Sequence, residues 1–176
     1  MKDNPRQEEF GSKPPKFKIV QTGEFIDFET LQKIVGRYQE RLKKLSEIPE
    51  LIDFFFKEKL EYPKELLRWK NQTDDNLLKA LDKLEEILSK IEEAQWNKEN
   101  LEKILTTAAE EWGKADLGRI KDRGYLLWPL RAAITGKEAS AGPFEIAEIL
   151  GKEKTLKRIK KAKKIVAENS AIIKDN

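Results

Sequence analysis

No cysteine and no histidine occur anywhere in the 176 residues. Their absence removes disulfides, thiolate nucleophiles, zinc sites built on Cys or His, and every Ser-His-Asp arrangement. Only carboxylate, Lys or Tyr chemistry would remain, and the 32 acidic residues single out no pair. Phosphate-cradling glycine loops are missing as well. Gly136-Lys137 and Gly151-Lys152 have the Gly-Lys step but no glycine five positions earlier. Long apolar runs are also lacking. Leu51-Ile52 and Phe54-Phe55-Phe56 are far too short to cross a bilayer, and the N-terminus has no apolar signal segment. A cytoplasmic protein with no membrane partner is expected. Catalysis by this chain alone is not expected, nor is a metal or other cofactor.

What is present is charge and apolar periodicity. Hydrophobic residues make up 39% and charged residues 38%, enough apolar material for a core beneath a highly charged surface. That balance favours a soluble helical fold over a disordered chain. The net charge of +3 is unevenly spread, because residues 151–176 hold nine Lys or Arg against three acidic residues. A basic helical tail on a mildly acidic body is compatible with phosphate contact, and also with a solvated helix face.

Residues 1–18 read as a flexible leader, tag or linker, with Pro5, Gly11-Ser12 and Pro14-Pro15 and no apolar periodicity. Asp27 is a plausible N-cap for a first helix whose stripe runs Phe28, Leu31, Ile34, Val35, Tyr38, Leu42, Leu45. Ser46 is placed to cap a short helix with Pro49 in its first turn, and Phe54-Phe55-Phe56 marks a core. Pro63 opens another short helix with Leu66, Leu67 and Trp69. Leu77, Leu81, Leu84, Leu88 and Ile91 define the cleanest amphipathic helix. Asn97 caps the next, and Gly113 is expected to end it. Pro129 to Gly136 and Pro143 to Gly151 each place proline at a helix start and glycine at its stop. A basic helix carrying Leu156, Ile159, Ala162, Ile165 and Val166 follows. No segment has a convincing strand period. The expected architecture is all-α, two small helical subdomains (19–75 and 76–176) meeting near residues 71–97.

Three segments carry a family resemblance. Arg41-Leu42-Lys43-Lys44-Leu45-Ser46-Glu47-Ile48-Pro49 resembles the Arg-x-x-x-Leu-x-Glu-x-Pro segment of bacterial-type glutamyl-tRNA synthetases. Trp128-Pro129-Leu130-Arg131-Ala132-Ala133-Ile134-Thr135-Gly136 is similar to that family's Pro-Leu-Arg-x-Ala-Leu-Thr-Gly signature. Phe144-Glu145-Ile146 and the run from Leu150-Gly151-Lys152-Glu153 to Arg158 resemble its closing Gly-Lys-Glu-x-x-Leu-x-Arg helix. The three occur in the family's order, from about residue 30 to about residue 160. The resemblance is to the C-terminal anticodon-binding region. The catalytic half's ATP-binding signatures have no counterpart, so ATP and Mg would belong to a full-length enzyme. The chain is expected to be a cut piece of such a synthetase, or a freestanding appended domain.

The resemblance implies a helical cage that binds the anticodon loop of glutamate tRNA, a pyrimidine followed by U and C. Splayed loop bases expose edges that side chains can read, and Arg presents a fork suited to a pyrimidine's O2 and N3 acceptors. Arg41 aligns with the family arginine that reads the first anticodon base. Where Gln stands there, related enzymes tolerate glutamine tRNA, so Arg41 implies the glutamate-only type. Arg131 matches a second position close to the anticodon. Ser140, Pro143 and Phe144 fall in the loop that meets the second and third bases. The family's Thr/Ser-Pro-Gly-Leu here reads Ser140-Ala141-Gly142-Pro143, a departure that leaves Pro143's contact open. Lys152, Lys157, Arg158, Lys160 and Lys161 are the expected tRNA-backbone contacts. Implied partners are glutamate tRNA and the catalytic domain of the same enzyme, with the chain a monomer. Read without the resemblance, Arg41 is a solvated or ion-paired side chain. Arg131 is then a helical arginine bonding a neighbouring carboxylate, and Phe144 a core residue. A helical protein–protein module whose basic tail docks an acidic partner is the alternative function.

Overall fold

The computed structural model describes residues 15–20, 23, 25–115 and 122–172. Residues 1–14 of the expected leader lie outside the described residues. Six helices are described: α1 (Phe28–Gly36), α2 (Ile48–Phe56), α3 (Asp74–Lys90), α4 (Lys98–Ala115), α5 (Gly124–Thr135) and α6 (Pro143–Ile172). An antiparallel hairpin precedes them, β1 (Lys16–Lys18) pairing with β2 (Phe25–Asp27), Phe17 opposite Ile26. The hairpin is too short to show a period in sequence, and it takes Lys16–Lys18 out of the expected leader.

Side-chain caps start three of the helices. Asp27 Oδ1 accepts from the Thr30 amide at 2.7 Å, Thr73 from Asn76 at 3.3 Å and Asn97 from Asn100 at 3.0 Å. The predicted face of α3 is the centre of the molecule. Leu77, Leu81, Leu84 and Leu88 are fully buried, each worth roughly 1.5–3 kcal/mol relative to exposure. α3 packs on α5 and α6, and α4 packs on both of these as well. The buried cluster extends from Ile34 and Tyr38 through Phe54 and Phe55 to Ile159 and Val166, so the two parts of the chain share it.

Four sequence expectations give way. α1 stops at Gly36 instead of running on to Leu45, because glycine is a poor helix former and the chain turns into a 3-10 turn at Gln39–Arg41. Tyr38 stays buried through that turn, whereas Leu45 is 79% exposed and outside the stripe. Ser46 does not cap α2; it lies inside a 3-10 turn at Leu45–Glu47, and Pro49 does sit in the first turn of α2. Gly113 does not end α4, which continues to Ala115.

Pro129 lies inside α5 and does not start it. A proline there cannot donate to the carbonyl four residues back, that of Tyr125. Gln72, 2% exposed, fills the vacancy by donating Nε2 to the Tyr125 carbonyl at 3.0 Å. The replacement donor comes from a segment 53 residues away. Gln72→Leu should therefore destabilise the fold by about 1–3 kcal/mol, the cost of a buried orphan carbonyl. Urea unfolding measures it, and an unchanged midpoint would show that the carbonyl finds another donor.

Two glycines close helices as expected. Gly136 caps α5 in the left-handed region at φ 64°, with its amide on the Ala132 carbonyl. Gly151 breaks α6 at φ 76°, ψ 166°, a region essentially reserved for glycine. The basic segment beyond it thereby takes its own direction across the ends of other helices.

Candidate nucleic-acid interface

Arg131 lies on the half-buried side of α5, one turn after Trp128. Its guanidinium carbon sits 4.2 Å from the centroid of the Trp128 ring, and Nη2 donates to the Glu138 carbonyl at 2.8 Å. The acceptor is a backbone carbonyl and not the side chain of a neighbouring acid. Arg41 reaches the same region from the other end of the chain. Its Nη1 donates to the Ser140 carbonyl at 2.8 Å, across 99 residues. Lys137 fastens the same loop to α2, donating to the Glu50 carbonyl at 3.0 Å and pairing with Asp53 at 2.9 Å.

Arg41, Arg131 and Ser140 are therefore brought together around one loop. No ion pair among the described residues includes either arginine. Partial burial, and then the nearby charge of Arg41, holds Arg131 below the usual arginine range. Two guanidiniums that repel each other and are in no ion pair form a positively charged surface. Beneath the loop lies Tyr38, whose phenol is pushed up by burial. Ser140 is 7% exposed and its hydroxyl donates to the Ala141 carbonyl, so its accessible contribution is backbone. Pro143 opens α6, and Phe144 is half-buried against the core with one side left accessible.

Part of the basic helix is engaged within the fold. Arg158, 4% exposed, donates to the carbonyls of Ile134, of Phe54 at 2.6 Å and of Lys57 at 2.9 Å. Burial pushes its guanidinium down to about 10. Lys154 bonds the Phe55 carbonyl at 2.9 Å, Lys152 that of Ile91 at 2.6 Å and Lys161 that of Leu60. Apart from that of Leu60, in the loop after α2, these carbonyls stand at the C-termini of α2, α3 and α5, where unpaired acceptors and the helix dipole favour cations. Arg158 is thus a buried cap for two helices. Lys152 and Lys161 are half-buried and engaged in the same way.

Lys157 and Lys160 keep their ends in solvent, beside Glu58 and, at 3.7 Å, Glu85. They border a groove of about 360 Å³ also lined by Lys59, Tyr62, Lys161 and Lys164. The sequence does not single out Lys59 or Lys164. Lys164 lies within the basic run, but Lys59 sits 98 positions before Lys157 and nothing in its neighbours marks it. Among the described residues no three carboxylates could hold a metal, and no helix is long and apolar enough to cross a membrane.

Comparison with known proteins follows the same outline. A family model for the anticodon binding domain matches residues 15–163. The glutamate–tRNA ligase of Clostridium botulinum (strain Hall) is 41% identical over 138 residues, covering 76% of this chain and 26% of that protein. That of Clostridium tetani (strain Massachusetts) is 40% identical over 149 residues, covering 83% and 28%. A crystal structure of a glutamate tRNA ligase from Elizabethkingia meningosepticum, in complex with its amino acid, shares the fold. Its TM-score is 0.65 at 23% identity, over 82% of this chain and 26% of that one. The chain spans about a quarter of the length of the curated relatives it matches. With 149 consecutive positions under one family model and the same helical fold, the chain belongs to the anticodon binding domain family.

Proposed function

We propose that this chain binds tRNA and recognises the anticodon of glutamate tRNA, as the RNA-reading part of a cytoplasmic glutamate–tRNA ligation system. The observation that carries the reading is the convergence of Arg41 and Arg131 on the Ser140 loop, neither in an ion pair among the described residues. An unstacked pyrimidine offers O2 and N3 as paired acceptors, which a planar guanidinium meets with two parallel hydrogen bonds. Phe144 supplies an aromatic face on which a neighbouring base can stack, and stacking suits any base. ATP and Mg would serve the catalytic part of such a ligase. The exposed apolar face of the hairpin, with Phe17, Phe25 and Phe28 41–66% exposed, suits contact with that part.

Gel-shift titration of the chain with glutamate tRNA, with the same tRNA altered in its anticodon, and with an unrelated tRNA tests the reading. Tighter binding to unaltered glutamate tRNA is expected, and equal binding to all three overturns it.

The phosphate contribution is separable. Lys157 and Lys160 reach solvent, whereas Lys152 is held by the Ile91 carbonyl. Replacing Lys157 and Lys160 together with Ala should flatten the dependence of log K on log salt by about 0.7–0.9 for each phosphate left without its lysine. Lys152→Ala should leave that slope alone and lower stability instead. An unchanged slope in the double variant would show that this face of α6 meets only solvent.

A further inference from the structure

Arg131 is held, not loose. Its guanidinium lies over the Trp128 ring at 4.2 Å, and one nitrogen, Nη2, is tied to the Glu138 carbonyl. Trp128 is fixed in turn, with Nε1 donating to the Leu66 carbonyl at 2.9 Å. Its ring meets that of Trp69 at 5.0 Å with a 40° tilt. Trp69 donates to Asp122 at 3.0 Å, and Lys70 bonds the same oxygen at 2.6 Å. A ladder of Arg131, Trp128 and Trp69 therefore runs from the candidate interface back to an anchored carboxylate.

This ladder restricts what Arg131 can do. One face of the guanidinium is covered by the indole, while Nη1 and Nε donate to nothing among the described residues. A flexible arginine must lose rotamer freedom before it can form a two-pronged contact; a stacked one has already lost it. The indole face also attracts the cation, which offsets the repulsion from Arg41. The Nη2 bond to the Glu138 carbonyl holds one corner of the Arg131 fork, and among the described residues the Trp128 ring is what holds its plane.

We propose that Trp128, backed by Trp69, is a positioning residue for base recognition by Arg131. It sets the plane of the guanidinium so that the N–H groups not bonded to the Glu138 carbonyl meet the acceptor edge of an anticodon base. The role rests on the anticodon reading above. Packing alone would make Trp128 important to stability and indifferent to which base is present.

The test compares Trp128→Phe with Trp128→Leu, each in the unaltered chain and in an Arg131→Gln background. Binding of glutamate tRNA, and of the same tRNA altered at its second or third anticodon base, is one readout. The nitrogen–proton NMR signal of Arg131 Nε in the free protein is the other. Trp128→Leu should weaken binding of unaltered tRNA about tenfold and shrink the penalty for the altered base. Trp128→Phe should keep most of both, since its ring remains. In the Arg131→Gln background the leucine substitution should cost almost nothing more. The Arg131 signal, moved by the indole ring, should return toward its free position in Trp128→Leu.

Equal losses with Phe and Leu, or the same loss in the Arg131→Gln background, would overturn the positioning role while leaving the anticodon reading intact. So would an Arg131 signal that Trp128→Leu does not move. If the unaltered chain shows no preference for glutamate tRNA although the Arg131 signal is shifted, the anticodon reading fails and this role with it.

Discussion

Arg158→Met is expected to lower the free energy of unfolding by about 3 kcal/mol or more, the largest stability loss of any single substitution considered. Three carbonyls depend on this guanidinium, those of Ile134, Phe54 and Lys57. A buried acceptor left without a donor costs roughly 1–3 kcal/mol, and hydrogen bonds to a charged group stand at the upper end of that scale. The costs do not simply add, because α2 and α5 can relax once their shared clamp is gone. Arg158→Lys should fall between the two, since one ammonium cannot span carbonyls on separate helices. Denaturant unfolding measures both variants, with an unchanged m-value showing that the native state is what changed. A loss under about 1 kcal/mol for Arg158→Met would show that water replaces the side chain. If Arg158→Lys folds, its tRNA affinity should keep the salt dependence of the unaltered chain, because Arg158 does not face solvent.

Arg158 also marks the boundary of what the amino-acid order made legible. Features within one or two helical turns were readable: the leucine face of α3, the caps at Asp27 and Asn97, the stops at Gly136 and Gly151. Each depends on neighbours three or four residues away, the range over which propensity and periodicity act. Arg158 and Lys154 depend on carbonyls about 100 residues earlier, and a basic run looks the same whether it faces phosphate, water or helix ends. Pro129 misled for the same reason, since only Gln72 from a distant turn makes an internal proline tolerable. The apolar stripe after α1 misled differently. Tyr38 kept the expected side through a 3-10 turn, so the spacing outlived the helix. Motif order singled out Arg41, Arg131 and Ser140, which composition does not. Their convergence appears only when the Ser140 loop folds back on Arg41.

That convergence makes Arg41→Gln the most informative change for recognition. The substitution removes one positive charge, the bond to the Ser140 carbonyl and the two-donor fork. It leaves a carboxamide, which can donate one hydrogen bond and accept another, so it can still pair with a base but with less power to refuse the wrong one. The preference for glutamate over glutamine tRNA should fall by about 1–3 kcal/mol, the usual worth of a two-pronged base contact. Affinity for glutamate tRNA itself should fall by less than the preference does. Two further effects separate this from damage to the fold. Arg41 is exposed, so the Ser140 carbonyl can turn to water and stability should shift little. Removing the Arg41 charge also relieves the smaller part of the depression of Arg131, which burial chiefly causes, and leaves that guanidinium in its place on Trp128. Arg41→Lys supplies the control. It keeps the charge and hence the salt dependence, but an ammonium has no planar fork, so discrimination should drop much as with Gln. Parallel titrations of both tRNAs against the three proteins decide the matter. Equal losses for the two tRNAs would make Arg41 a general electrostatic contact and pass base discrimination to Arg131 and the loop from Ser140 to Phe144.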